Sequence, residues 1–340
     1  MANKVEVIIP NWNGSYWLKA CLLSLQAQTF KDFQVTVVDN GSTDDSVEYI
    51  RNNFPNVVII KLQENLGFPA GINAGIQVSQ ATYVCWLNND TEVAADFLEQ
   101  LVTAVEAHPP SECYAMAAAR VLFMAIPDTI NSAGIFIGAD GLGRDRGYQQ
   151  KDGAFFDGTS EVFGPAGVAA LYRRTLFDEI GWLDEDFFLY SEDIDLNYRA
   201  QLAGYRCLYV PQARVYHQGS ASARTISRRA ARLASRNGLV ALLKNLPSRV
   251  LLRQLPWIVI GQIYQLVLFA RQGNLIAALA GKGDFCLVLP ATLAKRSKIQ
   301  LQRRIGVAQF SGQLRLGRTT PRLVQKLKEV LNVLVGKSSN

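Results

Sequence analysis

Short apolar runs alternate with amphipathic stretches through the first hundred residues. Val5–Ile9 reads as a buried strand, and Leu18, Cys21, Leu22 and Leu25 follow at helical spacing. Phe33–Val38 is a second strand, closed by Asp39-Asn40-Gly41-Ser42. Ser42 or Thr43 is placed to cap a helix running through Ile50, with Asp44 and Asp45 in its first turn. Val57–Ile60 is a third strand, and Pro69 suits the first turn of a helix reaching about Val78. Tyr83–Leu87 is a fourth strand ending at Asn88-Asn89-Asp90, before a helix from about Ala94 to Ala107. Strands alternating with helices predict parallel βαβ units in an α/β sheet, whose ligands bind beyond the C-terminal strand ends. Polar clusters stand at those ends: Asn11–Asn13, Asp39–Asp44, Asn65 and Asn88–Asp90.

The pattern then changes twice. Residues 127–165 are richer in Gly and lack clear periodicity, which predicts a mobile loop over part of the stretch. Ile194, Tyr198 and Leu202 share one helical face, Gly204 fits a helix stop, and Cys207–Val210 is a further short strand. After about Ser220, Arg224–Arg236 is a basic helix candidate. Residues 254–270 and 284–294 are apolar, the first containing Pro256 and the second followed by KRSKIQLQRR.

Composition narrows the classes. With 49% hydrophobic and 19% charged residues in 340, the chain is globular, one large domain or two ordinary ones. The five Cys form no CxxC pair, which speaks against a disulfide scaffold or zinc finger and for a reducing cytosol. The N-terminus lacks a signal-peptide layout. The net charge of +6 conceals a division. Residues 1–218 hold 14 Lys and Arg against 27 Asp and Glu, while residues 219–340 hold 21 against 2. An acidic body joined to a basic tail region needs a physical cause.

Asp39, at the end of the second strand, can accept hydrogen bonds from a ribose or a base N–H; a helix-capping or turn Asp explains it equally well by itself. The ribose-binding acid of dinucleotide folds occupies the same position, but the first strand here leads into Pro10-Asn11-Trp12-Asn13-Gly14, with one Gly where G-x-G-x-x-G would be needed. The nearest string to a phosphate-binding P-loop, Ile276–Gly283, lacks its first Gly and its Ser or Thr. Asp90, on a strand end facing the nucleotide crevice, is a hard-cation ligand type, and Mg²⁺ and Mn²⁺ commonly bridge a carboxylate and substrate phosphates. Glu192, Asp193 and Asp195 sit among Phe187, Phe188, Tyr190 and Tyr198, surroundings that raise a carboxyl pKa and favour base chemistry. Acids are also common in any first helical turn. His217 closes a strand-like stretch and gains weight as a ligand only together with Asp90, whereas His108 looks like a surface residue.

Together, VIIPNWNG, VVDNGSTDDS, ENLGFPAGINAGI, WLNNDTEV, GPAGVAALYRR and FFLYSEDIDLNYRAQLAGYRCLYVPQARVYHQGS resemble the inverting glycosyltransferases of family 2, closest to the bacterial rhamnosyltransferase-like branch. The resemblance covers roughly residues 4–220. It implies a GT-A fold, Rossmann-like with a mainly parallel central sheet and flanking helices, over residues 1–220, and leaves 221–340 as a basic, amphipathic helical region. It implies transfer of a sugar from a nucleotide-diphosphate donor to a saccharide or lipid-linked saccharide in cell-surface polysaccharide synthesis. By the same resemblance Asp39 meets the base, Pro10, Asn11 and Asn13 form the first nucleotide loop, and Asn65, Gly67, Gly71, Asn73 and Asn89 line the nucleotide. Asn88 and Asp90 stand at the two ends of the family's Asp-x-Asp metal motif; Asn replaces its first acid, which shifts the load to Asp90. His217 matches a third metal ligand known in some members, Asp193 the catalytic base, and Glu192 and Trp182 the acceptor side. Arg199 matches a recurring Arg, with a structural role preferred.

Inverting transfer needs one base for the acceptor hydroxyl and one electrophile for the departing diphosphate, a role a divalent cation supplies. Arg144, Arg146, Arg173 and Arg174 are undifferentiated candidates for a phosphate clamp. A nucleotidyltransferase, a dehydrogenase, or a non-catalytic glycan-binding or scaffold relative are the rival readings. The basic tail is expected to attach the chain to anionic lipid on the cytoplasmic face of a bacterial inner membrane, with residues 254–270 lying in the interface in preference to the alternative of a span. Nucleic acid is not an expected partner, and an oligomer is possible.

Overall fold

A computed structural model describes residues 3–219 and 227–316. Strands β1 (Val5–Asn11), β2 (Phe33–Asn40), β3 (Val58–Leu62) and β4 (Tyr83–Leu87) alternate with helices α1 (Ser15–Gln26), α2 (Ser46–Asn53) and α3 (Phe68–Val78). The pairings β4–β1, β1–β2 and β2–β3 are all parallel. The chain leaves β1 toward β2 and β3, then returns through α3 to place β4 on the other side of β1. That reversal opens a crevice at the carboxyl ends of β1 and β4, where sheets of this kind bind ligands. Pro69 occupies the first turn of α3, where its missing N–H costs nothing.

The apolar runs are continuous because both faces of the sheet are covered. Successive β1 side chains point to opposite sides. Val5, Val7 and Ile9 join a core with Leu18, Leu22 and Leu25 of α1. Ile8 joins a second core with Ile72 and Ile76 of α3 and with Trp86, which stacks on Tyr172 at 4.4 Å between ring centroids.

Short β5 (Thr91–Val93) precedes α4 (Phe97–Glu106), so the fourth helix begins later than its pattern suggests. The sheet then continues through β6 (Tyr114–Phe123), β7 (Ile126–Ser132), β10 (Ser160–Val162), β11 (Ala169–Arg173) and β12 (Arg206–His217), with a small separate hairpin of β8 (Ile135–Ile137) and β9 (Gly143–Asp145). Four of the seven pairings along the main strand order are parallel. Helices α5 (Arg174–Ile180) and α6 (Glu192–Leu202) flank it.

Two expectations are corrected. Residues 127–165, expected to be a mobile loop in part and to lack regular elements, hold four short strands, with none between Asp145 and Ser160. The buried Arg120 guanidinium holds the stretch by donating to Asp152, Asp157 and the Phe156 carbonyl. Three-residue strands carry too few positions to show a period. Ser42 and Thr43 do not cap α2, which begins at Ser46; they bond the Asn13 loop instead.

Beyond residue 227 the chain is helical: α7 (Arg228–Asn245), α8 (Ser248–Arg271), α9 (Leu275–Gln302) and α10 (Val307–Gln313). The expected basic helix is α7; residues 224–226 of that expectation, and the expected boundary at 220, lie outside the described residues. Ile194, Tyr198 and Leu202 of α6 share a core with Leu242, Leu246, Val250 and Phe310. Charge complements it. Lys244 Nζ lies 2.6 Å from Asp184 and 2.9 Å from Asp195, and Lys295 Nζ lies 2.6 Å from both Asp184 and Asp186. Part of the acidic–basic division is therefore intramolecular docking. α8 and α9 are each long and apolar enough to cross a membrane by length and composition, and most of their surface is uncovered.

Candidate functional site

The crevice is a cleft of about 450 Å³. Its floor comes from the carboxyl end of β1 and the loop that follows it, which bring Pro10, Asn11, Trp12, Asn13 and Gly14 to the wall. Parallel register sets Asn11 beside Asp39, and the Ile8–Trp86 pairing carries Asn89 to the same edge. The buried Asn11 joins these ends: its Nδ2 donates to Ser46 Oγ at 3.0 Å, and its Oδ1 accepts from Asn89 Nδ2 at 2.7 Å. Asn13 adopts a left-handed φ of 51°, and its Oδ1 accepts from Thr43 N at 2.8 Å. Asp39 is 1% exposed; one carboxylate oxygen accepts from Ser42 N at 3.2 Å, and the other is buried without a partner. A buried acceptor left open is costly unless a ligand N–H or O–H completes it.

The opposite wall comes from residues 65–68 and 188–190. Asn65 Oδ1 accepts from Gly67 N at 3.0 Å, and Asn40, which the sequence pattern did not single out, holds the loop by donating to the Gly67 carbonyl at 2.8 Å. Gly67 has φ 91°, and a Cβ there would lie 2.3 Å from the Phe188 carbonyl oxygen, so only glycine fits. Three expected nucleotide contacts, Asp39, Gly71 and Asn73, are not on the wall, Asp39 lying buried behind Asn40. Gly71 packs α3 against Pro10, and the amide of buried Asn73 is engaged with Leu183 and Glu185. Trp182 is also off the wall, 39% exposed, with its carbonyl accepting from Arg199 at 2.8 Å. Arg199 also donates to Ile180 O, Gly181 O and Asp195, the contacts of a structural residue.

Asp90 Oδ1 and His217 Nε2 stand 3.3 Å apart, although 127 positions separate them in sequence. Strand β5 pairs with the end of β12, setting Thr91 opposite His217 and bringing the two together. His217 Nδ1 lies 3.2 Å from Asn131 Oδ1. Burial tends to raise the Asp90 carboxyl, but the bond and charge of His217 leave it below its ordinary value. Among the described residues no group of three His, Cys, Asp or Glu converges. One carboxylate and one imidazole, with Asn88 on the same wall, fit a cation that completes its shell with phosphate and water oxygens.

Asp193 lies in the first turn of α6. Its Oδ2 accepts from Gly167 N at 2.9 Å and its Oδ1 from Ile194 N at 2.8 Å. Glu192 beside it is 5% exposed, with Oε2 unpartnered. Burial, then the neighbouring Asp193 charge, pushes Glu192 up to about 8. Burial also raises Asp193, against the N–H bonds that favour its ionised form. Asp195 is set apart: Lys244 and Arg199 hold it below the usual carboxylate range despite complete burial. Asp145 of β9, unnoticed in the aperiodic stretch, feels both Asp193 and His217 and is raised to about 6, mainly by burial.

The clamp candidates are engaged elsewhere. Arg144 pairs with Asp140, Arg146 stacks near Phe155, Phe156 and Tyr209, Arg173 donates to Tyr114 and Val105 carbonyls, and Arg174 faces Asp178. Among the described residues the cation on the cleft wall is Arg229 of α7, whose guanidinium lies 4.5 Å from the Phe188 ring centroid. Nothing in the sequence distinguished it from the other basic residues of the tail.

The family model of glycosyl transferase family 2 matches residues 6–181. The chain belongs to this family. It is 34% identical over 149 residues to the uncharacterised glycosyltransferase YibD of Escherichia coli, covering 41% of this chain and 43% of that one. The chain thus spans less than half the length of that relative. It is 24% identical over 254 residues to the N-acetylglucosaminyl-diphospho-decaprenol L-rhamnosyltransferase of Mycobacterium tuberculosis, covering 64% of this chain and 76% of the relative. The mannosyltransferase PcManGT of Pyrobaculum calidifontis, solved with GDP-Man and Mn²⁺, superposes with a TM-score of 0.54 at 17% identity, over 92% of this chain and 87% of that one. That likeness is one of fold, and the fold is the GT-A arrangement expected from the sequence.

Proposed function

We propose that the protein is an inverting glycosyltransferase that moves a sugar from a nucleotide-diphosphate donor to a saccharide or lipid-linked saccharide in cell-surface polysaccharide synthesis. The observation that carries this reading is the Asp90–His217 pair, in which Asp90 lines the same crevice as Asn11, Asn13 and Asn88 and His217 stands 3.3 Å behind it. The open oxygen of Asp39 accepts a base N–H, and Asn65 and Asn89 shape the walls around the nucleoside. Asp90 and His217, with Asn88 beside them, would hold Mg²⁺ or Mn²⁺, which supplies Lewis-acid neutralisation of the diphosphate charge. Arg229 faces the same charge across the cleft. Asp193 takes the proton of the acceptor hydroxyl as that oxygen attacks the anomeric carbon from the side opposite the leaving group, which inverts the centre. Burial and the neighbouring Asp193 charge raise Glu192, while Asp193 is the member of the pair whose ionised form two backbone N–H groups favour, which suits it to receive the acceptor's proton. Glu192 and the exposed Trp182 border the acceptor.

The named relative from M. tuberculosis carries a lipid diphosphate in its name, which supports a lipid-linked acceptor here. The exposed stripe Leu252, Leu255, Val259 and Ile263 of α8, at spacings of three and four, presents one apolar face beside Arg249 and Arg253. A face of that kind lies in an anionic membrane surface, the cytoplasmic side of a bacterial inner membrane in this reading.

The test is a donor panel of UDP-, dTDP- and GDP-sugars read by nucleotide release, with Asp193→Asn beside the parent. Asn keeps the shape but takes no proton, so transfer falls by at least about a hundredfold while donor binding survives. Release from no donor would sink the transferase reading. Near-parental transfer in the variant would move the base elsewhere.

A further inference from the structure

Three non-glycine residues within four positions, Phe188, Tyr190 and Ser191, have left-handed φ of 62°, 72° and 69°. Such backbone persists only where its surroundings over-determine it, and it concentrates at functional sites. This segment lines the cleft with Phe188, Leu189 and Tyr190, and Ser191 leads directly into Glu192 and Asp193. Its geometry thus decides both the shape of the cleft and the direction of the first turn of α6.

The segment is held from α7. Asn237, 1% exposed, directs Nδ2 at three carbonyls: Phe187 at 2.9 Å, Leu189 at 2.8 Å and Tyr190 at 2.8 Å. Two N–H groups are thereby shared among three acceptors. Its own Oδ1 accepts from Arg236 Nε at 2.8 Å, which fixes the amide orientation, and Arg236 Nη2 donates to Asp186 O at 2.7 Å. The remaining carbonyl, that of Phe188, accepts from Phe68 N at 2.8 Å. Two turns further along α7, Asn245 Nδ2 donates to Asp195 at 2.7 Å, so the helix grips the segment and α6 together.

We infer that Asn237 is a positioning residue, holding residues 187–191 in the strained form that presents Asp193 to the acceptor and completes the donor cleft. The catalytic half of this inference rests on the transferase reading above; the holding of the segment does not. The helical region is on this account part of the transfer machinery as well as an attachment. Asp in place of Asn237 keeps the size, loses both donors and sets a negative charge against three carbonyl oxygens. Leu189 and Tyr190 carbonyls then have no amide partner, and the segment relaxes toward ordinary φ.

The experiment compares full-length parent, Asn237→Asp, the milder Asn237→Ser, and Arg232→Ala, which removes an exposed contact from α7 to Asp284 of α9. Amide hydrogen exchange should rise over residues 187–195 in both Asn237 variants, while the β1 and β4 peptides keep parental protection. With a donor from the panel, kcat should fall about a hundredfold for Asn237→Asp, the scale of an ångström-level misplacement, and less for Asn237→Ser. The acid limb of its kcat–pH profile should move, because Asp193 and Glu192 change surroundings. Arg232→Ala should stay at the parental rate. Parental exchange over 187–195 in Asn237→Asp overturns the inference, as does a parental kcat and pH profile. Failure of both Asn237 variants to fold also overturns it, since the residue would then serve stability alone. If the parent releases nucleotide from no donor, the transferase reading fails, and the exchange pattern still decides whether Asn237 holds the segment.

Discussion

Replacing Lys244 by Met removes the cation that joins α7 to the catalytic body. The ammonium group is 4% exposed, 2.6 Å from Asp184 Oδ2 and 2.9 Å from Asp195 Oδ2. At an effective dielectric constant near 20, each contact is worth about 6 kcal/mol of direct attraction. Desolvation of the three charges offsets most of this, several kcal/mol per ion. Loss of one partner from a buried pair ordinarily costs about 3–5 kcal/mol, because charge is left uncompensated. Here Asp195 retains Arg199 and Asn245, and Asp184 retains Lys295, so the lower end, about 3 kcal/mol, is expected. Such a loss lowers Tm by roughly 4 °C in a chain of this size, since the unfolding entropy grows in proportion to length. The pH dependence checks the cause. Burial, the largest single influence on Asp184, raises it, yet Lys244 and Lys295 together bring it down to about 2 in the folded protein. A depressed carboxyl contributes stability above its unfolded pKa and loses it as pH falls through the folded one. The deficit of Lys244→Met should therefore be full at pH 7 and narrow between about pH 4 and pH 2, as the carboxylates protonate and the missing cation ceases to matter. Calorimetry from pH 7 downward reads both. A variant within about 1 kcal/mol of the parent at pH 7, or one whose deficit ignores pH, would refute the argument that this buried network docks the helical region.

Asp90→Ala and His217→Ala should each weaken Mn²⁺ binding, measured by calorimetry on the unliganded protein, and should remove most metal-dependent turnover; undiminished turnover in Asp90→Ala would dismiss the metal assignment. Glu192→Gln should leave stability near parental below about pH 4.5 and make the variant progressively the more stable protein from there up to about pH 8, since a raised carboxyl has its full contribution only below its unfolded pKa and loses it as pH rises through its folded one. Equal unfolding free energies at pH 9 would contradict that assignment. Full-length protein should float with vesicles rich in anionic lipid, and Leu252→Asp with Val259→Asp should abolish flotation without lowering Tm, because both side chains are exposed. A chain ending near residue 220 is unsuited to that comparison, as it strips Asn237, Lys244 and Asn245 from the body they hold.

The apolar runs and their breaks determined much of this protein locally. Four apolar strands alternating with helices dictated a parallel sheet, and a parallel sheet collects its strand ends, so Asn11, Asp39 and Asn88–Asp90 were legible at one edge of the sheet before any contact was known. Asp90 and His217 were legible as a pair only through resemblance to a family, because their meeting depends on β5 pairing with the far end of β12, a register that no local periodicity encodes. The three-residue strands in 127–165 lay below the length at which a period can show, which hid Asp145. Asn237 and Arg229 were hidden for a different reason. On a helix of basic and small residues, an amide or a guanidinium looks solvated until another part of the chain covers it. Only the docking of α7 against residues 184–195 decided that Lys244 and Asn245 are buried partners of Asp195, that Arg229 belongs to the cleft, and that part of the division between acidic body and basic tail is an interface within the molecule. Burial of charge is a property of two surfaces together, and a single segment carries only one of them.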